Sequence, residues 1–397
     1  MAIAYGARSM ATDTSTPVIP ASRSREFADW PVRAPKPRAP TRDVALDLLR
    51  GLAMLILVVN HLGLDAWLSD ATGAVLSAAE TLVPISGVAV GMVFGRRWIQ
   101  NGAEAVTRQL WARAQKIYVA AAVLGALVGL AQLVPGLVTE VATETRSGLP
   151  LYEFDGPLRT VLAVVVLEAG PWQTCILAFF VVTLLLAPVG LWALRAGHAW
   201  PLVGVSVGVY VLGRALDVDV LPTQSERPFG LLVWQVLFFP ALAIGFHRER
   251  IAEALRPVRR PLGAVAVVVA VAAVALQLDL APAGVLEWQA AHFDKAGLDP
   301  LRIIVMMSIA GGVYALLRRA GTRGERALGW LLLPLGRNSF YVFLVHVPLS
   351  VALATALTAA GAPEGFGPLI NSLLLAGMVG VLVLMVRREV MFRWIPR

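Results

Sequence analysis

About ten long apolar runs, separated by short polar stretches, dominate this chain. They lie near residues 44–64, 74–95, 114–134, 173–194, 201–216, 230–247, 261–278, 302–319, 330–355 and 368–387. A helix rises about 1.5 Å per residue, so roughly 17–25 apolar residues cross the hydrocarbon of a bilayer. Of 397 residues 57% are hydrophobic and only 15% are charged. Soluble domains carry about 25% charged residues. One aqueous core cannot bury this much apolar surface, so lipid must serve as solvent. The expected fold class is all-α: a polytopic integral membrane helical bundle of about ten transmembrane helices.

Charge placement sets the expected orientation. Basic residues favour the cytoplasmic loops of membrane proteins. With the N-terminus inside, the inner segments collect most of the basic residues: Arg8 through Arg42, Arg96, Arg97, Arg108, Arg113, Lys116, Arg195, Arg248 through Arg260, Arg318 through Arg326 and Arg387 through Arg397. The outer segments hold Arg146, Arg159, Arg214, Arg227, Lys295 and Arg302. The apolar stretch 158–169 is too short to span easily and reads as interfacial or re-entrant. Were it to span, this bias would collapse. The expectation is N-in and C-in.

The same reading excludes several function classes. The net charge of +8 sits in loops between apolar runs, which topology explains better than a nucleic-acid partner does. Cys175 is the single cysteine, so an internal disulfide or a cysteine zinc site is ruled out. Residues 1–42 are polar, without the apolar core of a signal peptide, and read as a disordered basic cytoplasmic tail. Residues 43–397 form the membrane domain. No Walker motif, GxGxxG turn or HExxH helix occurs, and no metal is expected. The chain also lacks the internal repeat common in transporters.

Ionisable groups within spans are costly and often functional. The first helix carries Asp47, Arg50, Asn60 and His61. At about 100° per residue, the step from Arg50 to His61 returns to within ~20° of one face and climbs ~16 Å. Asp47 lies near that face. One polar stripe therefore runs from the inner mouth of the helix towards mid-membrane. Ser339 and His346 share a face of the ninth run in the same way, with Arg337 near its inner end. His346 should reach the depth of His61, which suggests a shared central site. Glu80 lies in the outer half of the second run, where a structural hydrogen bond and a catalytic role are equally open. Gly87 and Gly91 share a face that would admit another helix closely. Arg96 and Arg97 mark the inner exit of that run, as topology anchors or as phosphate ligands. Trp172 reads as an interfacial anchor.

These residues resemble a known family. The pair Arg50 and His61 resembles the signature of the membrane acyltransferase-3 superfamily, and LGRNSFYVFLVH looks like its second motif. The segments RDVALDLLRG, AAETLVPISGVAVGMVFGRR, PWQTCILAFFVVTLLLAP, PFGLLVWQVLFF and KAGLDPLRI resemble the OpgC-type branch, similar to succinyltransferases of osmoregulated periplasmic glucans. Asn60 stands where that branch often carries Asp.

The resemblance implies a membrane O-acyltransferase in the bacterial cytoplasmic membrane. A succinyl or acetyl group would move from cytoplasmic acyl-CoA, as co-substrate, to a hydroxyl of an extracytoplasmic glycan or glycolipid. His61 is then expected as general base, and His346, Ser339 and Glu80 as groups that orient it, orient the acceptor or hold the oxyanion. Arg50, Arg96, Arg97 and Arg337 would meet the anionic donor, with Asp47 and Asn60 in support. A homodimer is left open. The competing reading is a secondary transporter or flippase of an envelope precursor.

Overall fold

The computed structural model describes residues 43–75, 78–143, 157–216, 220, 229–277, 280 and 282–395. The chain divides into two units, Met1–Thr41 and Arg42–Arg397, and the described residues belong to the second. The tail expected over residues 1–42 lies outside the described residues.

The described residues form helices and turns without a strand. In chain order the helices are α1 (Val44–His61), α2 (Trp67–Val75), α3 (Ala78–Ala131), α4 (Glu140–Thr143), α5 (Pro157–Val165), a 3-10 turn (Trp172–Thr174) and α6 (Ile176–Arg195). Then follow α7 (Ala199–Leu216), α8 (Leu231–Phe246), α9 (Arg248–Ala254), α10 (Arg259–Gln277) and α11 (Ala283–His292). The last are α12 (Pro300–Arg337), α13 (Ser339–Ala359) and α14 (Pro368–Arg387).

Among the described residues seven helices are long and apolar enough to cross a membrane, or eight if α8 and α9, bent by 81°, make one broken span. The chain is thus an all-helical membrane protein. Its length-qualified helices are fewer than the ten apolar runs for physical reasons. α3 carries two runs as arms that meet at Gly102, where φ is 81°. The apolar stretch Arg260–Ala272 of α10 is shorter than a full span. The count of ten and the N-in, C-in orientation stand as expectations from the sequence.

One expected helix is corrected. The run 330–355 is not continuous but breaks at Asn338. The backbone and side-chain N–H groups of Asn338 both donate to the carbonyl of Pro334, at 3.3 and 3.1 Å. An Asn side chain that bonds its own backbone competes with helix continuation. Arg337 therefore ends α12, whose last arm begins past Gly321 (φ 52°), and Ser339 begins α13.

The short segment behaves as its length demands. α5 has nine residues, about 14 Å of helix, against ~30 Å of hydrocarbon. It ends in a reversal: Leu167 has φ 61°, and the N–H groups of Glu168 and Ala169 both donate to the carbonyl of Ala163.

Small residues let the helices approach. A Cβ on Gly91 would collide with the backbone of Leu242 and Phe246 on α8, and one on Gly87 with Phe238. Gly245 returns the contact against Val88. The face of Gly87 and Gly91 read from the sequence is thus the α3–α8 seam. A second seam joins α1 to the last arm of α12: Gly51 abuts Leu332, and Gly336 abuts Asp47. Such contacts replace the hydrophobic drive that lipid abolishes. Outward faces stay apolar, as with Val205, Val211 and Leu212 on α7 and Val265, Val268 and Val271 on α10. In water such a belt would aggregate; in lipid it is solvated.

Candidate functional site

α1 is fixed at its start by its own sequence. The Asp43 carboxylate accepts from the Leu46 N–H at 3.1 Å, a side-chain N-cap, and from the Tyr314 hydroxyl at 2.9 Å. One turn on, the buried Asp47 faces two guanidinium groups, Arg50 at 3.7 Å and Arg337 at 3.5 Å. The packed α1–α12 seam carries this cluster.

Above the cluster lies a cavity of about 120 Å³. Arg50 and Met54 line it from α1, Arg113 and Lys116 from the second arm of α3, and Ser339 and Phe343 from α13. Ser86 on the first arm of α3 adds a hydroxyl. Three cations thus border one small space, and among the described residues no carboxylate lines it. An anion is the ligand that such a wall suits.

The face of α1 that begins with Arg50 and Met54 continues to His61, and the face of α13 that begins with Ser339 and Phe343 continues to His346. The two imidazoles meet there. His61 Nδ1 lies 3.0 Å from His346 Nε2, with ring centroids 5.2 Å apart. His346 Nδ1 donates to the carbonyl of Phe343 at 2.6 Å, and His346 is buried. The Trp172 ring closes on His61, with centroids 4.9 Å apart and planes tilted by 59°. Its indole N–H donates to the carbonyl of Val141 at 2.9 Å, which pins the 3-10 turn to α4. Phe343 is the shared wall: its side chain faces the cationic cavity and its carbonyl holds His346.

The residues singled out in the sequence divide into two groups. Arg50 and Ser339 line the cavity, and His61 and His346 sit together beyond it. Asp47 supports Arg50, and Arg337 shares Asp47 from the seam. The others lie elsewhere. Glu80 is 1% exposed and is gripped by Arg302 in a bidentate pair at 2.5 and 3.0 Å, a tie between the starts of α3 and α12. Arg96 is exposed and pairs with Glu249 at 2.6 Å. Arg97, also exposed, donates to Gln109 and stacks over Phe94. Asn60 is exposed near the end of α1.

The sequence reading passed over Arg113, Lys116 and Trp172 as site residues. In the sequence Arg113 and Lys116 stand only among the basic residues of the inner segments. Their i, i+3 spacing puts them on one face with the cavity-lining Ile117 at the start of an apolar run, and that was the available signal. Trp172 carried no signal beyond that of an interfacial aromatic, because its contact with His61 is set by the fold.

A helical membrane bundle that sets a cationic cavity beside a pair of histidines, one buried and one half-buried, is the class of protein defined here. The family model for OpgC protein matches residues 42–393, so the chain belongs to that family. Membership suggests an acyltransferase-like role in glycan modification at a membrane. Neither a curated protein nor a solved structure matches the chain.

Proposed function

We propose that the protein is an acyl-CoA-dependent O-acyltransferase of the bacterial cytoplasmic membrane. It moves an acyl group, of the succinyl or acetyl kind, from cytoplasmic acyl-CoA to a hydroxyl of an extracytoplasmic glycan or glycolipid. The observation that carries this reading is the cavity walled by Arg50, Arg113 and Lys116, which backs through Phe343 onto the His61–His346 pair.

The chemistry follows from the layout. Coenzyme A is polyanionic, and the three cations draw its phosphates to the cavity mouth by charge-assisted hydrogen bonds. A space of about 120 Å³ holds about four waters. That volume is far below the size of coenzyme A, so the nucleotide stays outside, and the pantetheine arm, with many more heavy atoms than about four waters, enters only as the cavity widens. Ser86 and Ser339 offer hydroxyls to the amides of that arm. His61 stands ~16 Å above Arg50 along α1, within reach of the arm.

There the imidazole of His61 takes the proton of the acceptor hydroxyl as its oxygen attacks the thioester carbon. The tetrahedral intermediate collapses, the carbon–sulfur bond breaks, and the proton returns from His61 to the departing sulfur. The products are the sugar ester and free coenzyme A.

The test is mass spectrometry of envelope glycans and lipids from cells with the gene, without it, and with His61→Ala. Loss of one acyl modification in both deficient strains is the expected result. Unchanged acylation without the gene, or transport of an envelope precursor by purified protein in liposomes with no CoA ester present, contradicts the reading.

A further inference from the structure

The two histidines are not equivalent, and their hydrogen bonds say which does what. A carbonyl oxygen only accepts, so the Phe343 carbonyl at 2.6 Å requires the proton of His346 on Nδ1. In a neutral imidazole the other nitrogen, Nε2, then carries the lone pair. That nitrogen faces His61 Nδ1 at 3.0 Å, so Nδ1 of His61 must be the donor. The lone pair of His61 is thereby left on Nε2. A main-chain carbonyl in α13 dictates, through one ring, which nitrogen of a second ring is basic.

We propose that His346 is a positioning residue that locks His61 in its Nδ1–H tautomer, so that Nε2 is the atom that takes the acceptor's proton. The inference rests on the reading of His61 as general base. In many hydrolases a carboxylate holds the base in its tautomer and steadies the imidazolium. Here the partner of His61 Nδ1 is a ring nitrogen, His346 Nε2 at 3.0 Å. A neutral, carbonyl-anchored histidine takes that place. It costs less to bury than an anion would in a membrane interior. Trp172 supplies the second restraint: its ring packs on His61 and is itself tied to Val141, so the His61 ring has its tautomer set by one neighbour and its tilt by the other.

The geometry makes a selective prediction. The amide end of Gln reaches the place of a histidine Nε2, whereas that of Asn reaches only the place of Nδ1. His346→Gln can accept from His61 Nδ1–H, so kcat stays within about tenfold of wild type. His346→Asn can replace only the bond to Phe343, and it loses kcat with His346→Ala by roughly 10²–10⁴-fold at similar KM. A merely structural histidine would rank Asn and Gln alike.

The experiment pairs these rates with nitrogen-15 spectra of histidine-labelled full-length protein in nanodiscs, with His61 assigned by its substitution. The expected result is a protonated Nδ1 on His61 in wild type and His346→Gln, and loss of that preference in His346→Asn. A bare Nδ1 on His61 in wild type overturns the proposal, whether or not the variants fold. So does activity in His346→Asn that equals or exceeds that of His346→Gln. Full acylation by His61→Ala would instead remove the base assignment itself, which separates the two failures.

Discussion

Asp47 lies 3.7 Å from Arg50 on the same face of α1, while Arg50 itself borders the cationic cavity. The carboxylate also faces Arg337, at 3.5 Å. Arg50 is thus held at the cavity wall by a neighbour that is anchored across the α1–α12 seam.

Arg50→Ala should raise KM for the acyl donor by ~10- to 100-fold, the size expected for one hydrogen bond to a charged group. Arg113→Ala and Lys116→Ala should act in the same direction. Steady-state kinetics with varied acyl-CoA reads this. A change in kcat with KM untouched would place these cations away from donor binding.

Arg96→Ala and Arg97→Ala should leave KM for the donor within about twofold. Both side chains are exposed and engaged with Glu249, Gln109 and Phe94, outside the cavity lining. Exposed pairs of this kind contribute ~1 kcal/mol or less. The same kinetic assay checks it, and a tenfold rise in KM for either variant would extend the donor site to the inner end of the first arm of α3.

Glu80→Ala should be destabilising by about 1–3 kcal/mol, because it leaves the half-buried Arg302 guanidinium with the Phe293 carbonyl but without its carboxylate. Replacing both partners with apolar residues should recover most of that loss, since a well-packed apolar pair avoids the desolvation cost. Thermal unfolding in detergent measures both. Equal destabilisation by the single and double variants would show that the pair matters by something other than charge burial.

Gly91→Val should disrupt the bundle. The added carbons meet the backbone of Leu242 and Phe246, which cannot move aside. Overpacking typically costs about 1–3 kcal/mol. Gly380→Ala on α14, where a Cβ meets open space, is the matched control and should be near neutral. Unfolding temperatures in the same detergent compare them.

Much of the fold was legible because lipid makes a simple demand: each apolar run must satisfy its own backbone, so each became helical. Helix breaks were harder to see. Gly102 and Gly321 lie in polar stretches, but the stop at Asn338 falls inside an apolar run and depends on a local bond to Pro334. At the site, the stripe from Arg50 to His61 and the face from Ser339 to His346 followed from helical period alone. That these two faces look at each other is a tertiary fact. So is the fate of Glu80: its depth was readable, but its partner Arg302 lies on a helix far along the chain. The surroundings of Arg96 and Arg97 were not readable either, because two guanidinium groups at a helix exit look alike in sequence whether they face a cavity or solvent.

The central claim is that His61 takes the acceptor's proton. The most direct measurement is transfer of labelled acyl groups from acyl-CoA to envelope glycan by membranes that hold equal amounts of folded wild type or His61→Ala. The account predicts transfer by wild type and a loss of at least ~10²-fold in the variant, at unchanged unfolding temperature. Transfer by His61→Ala at the wild-type rate would contradict it.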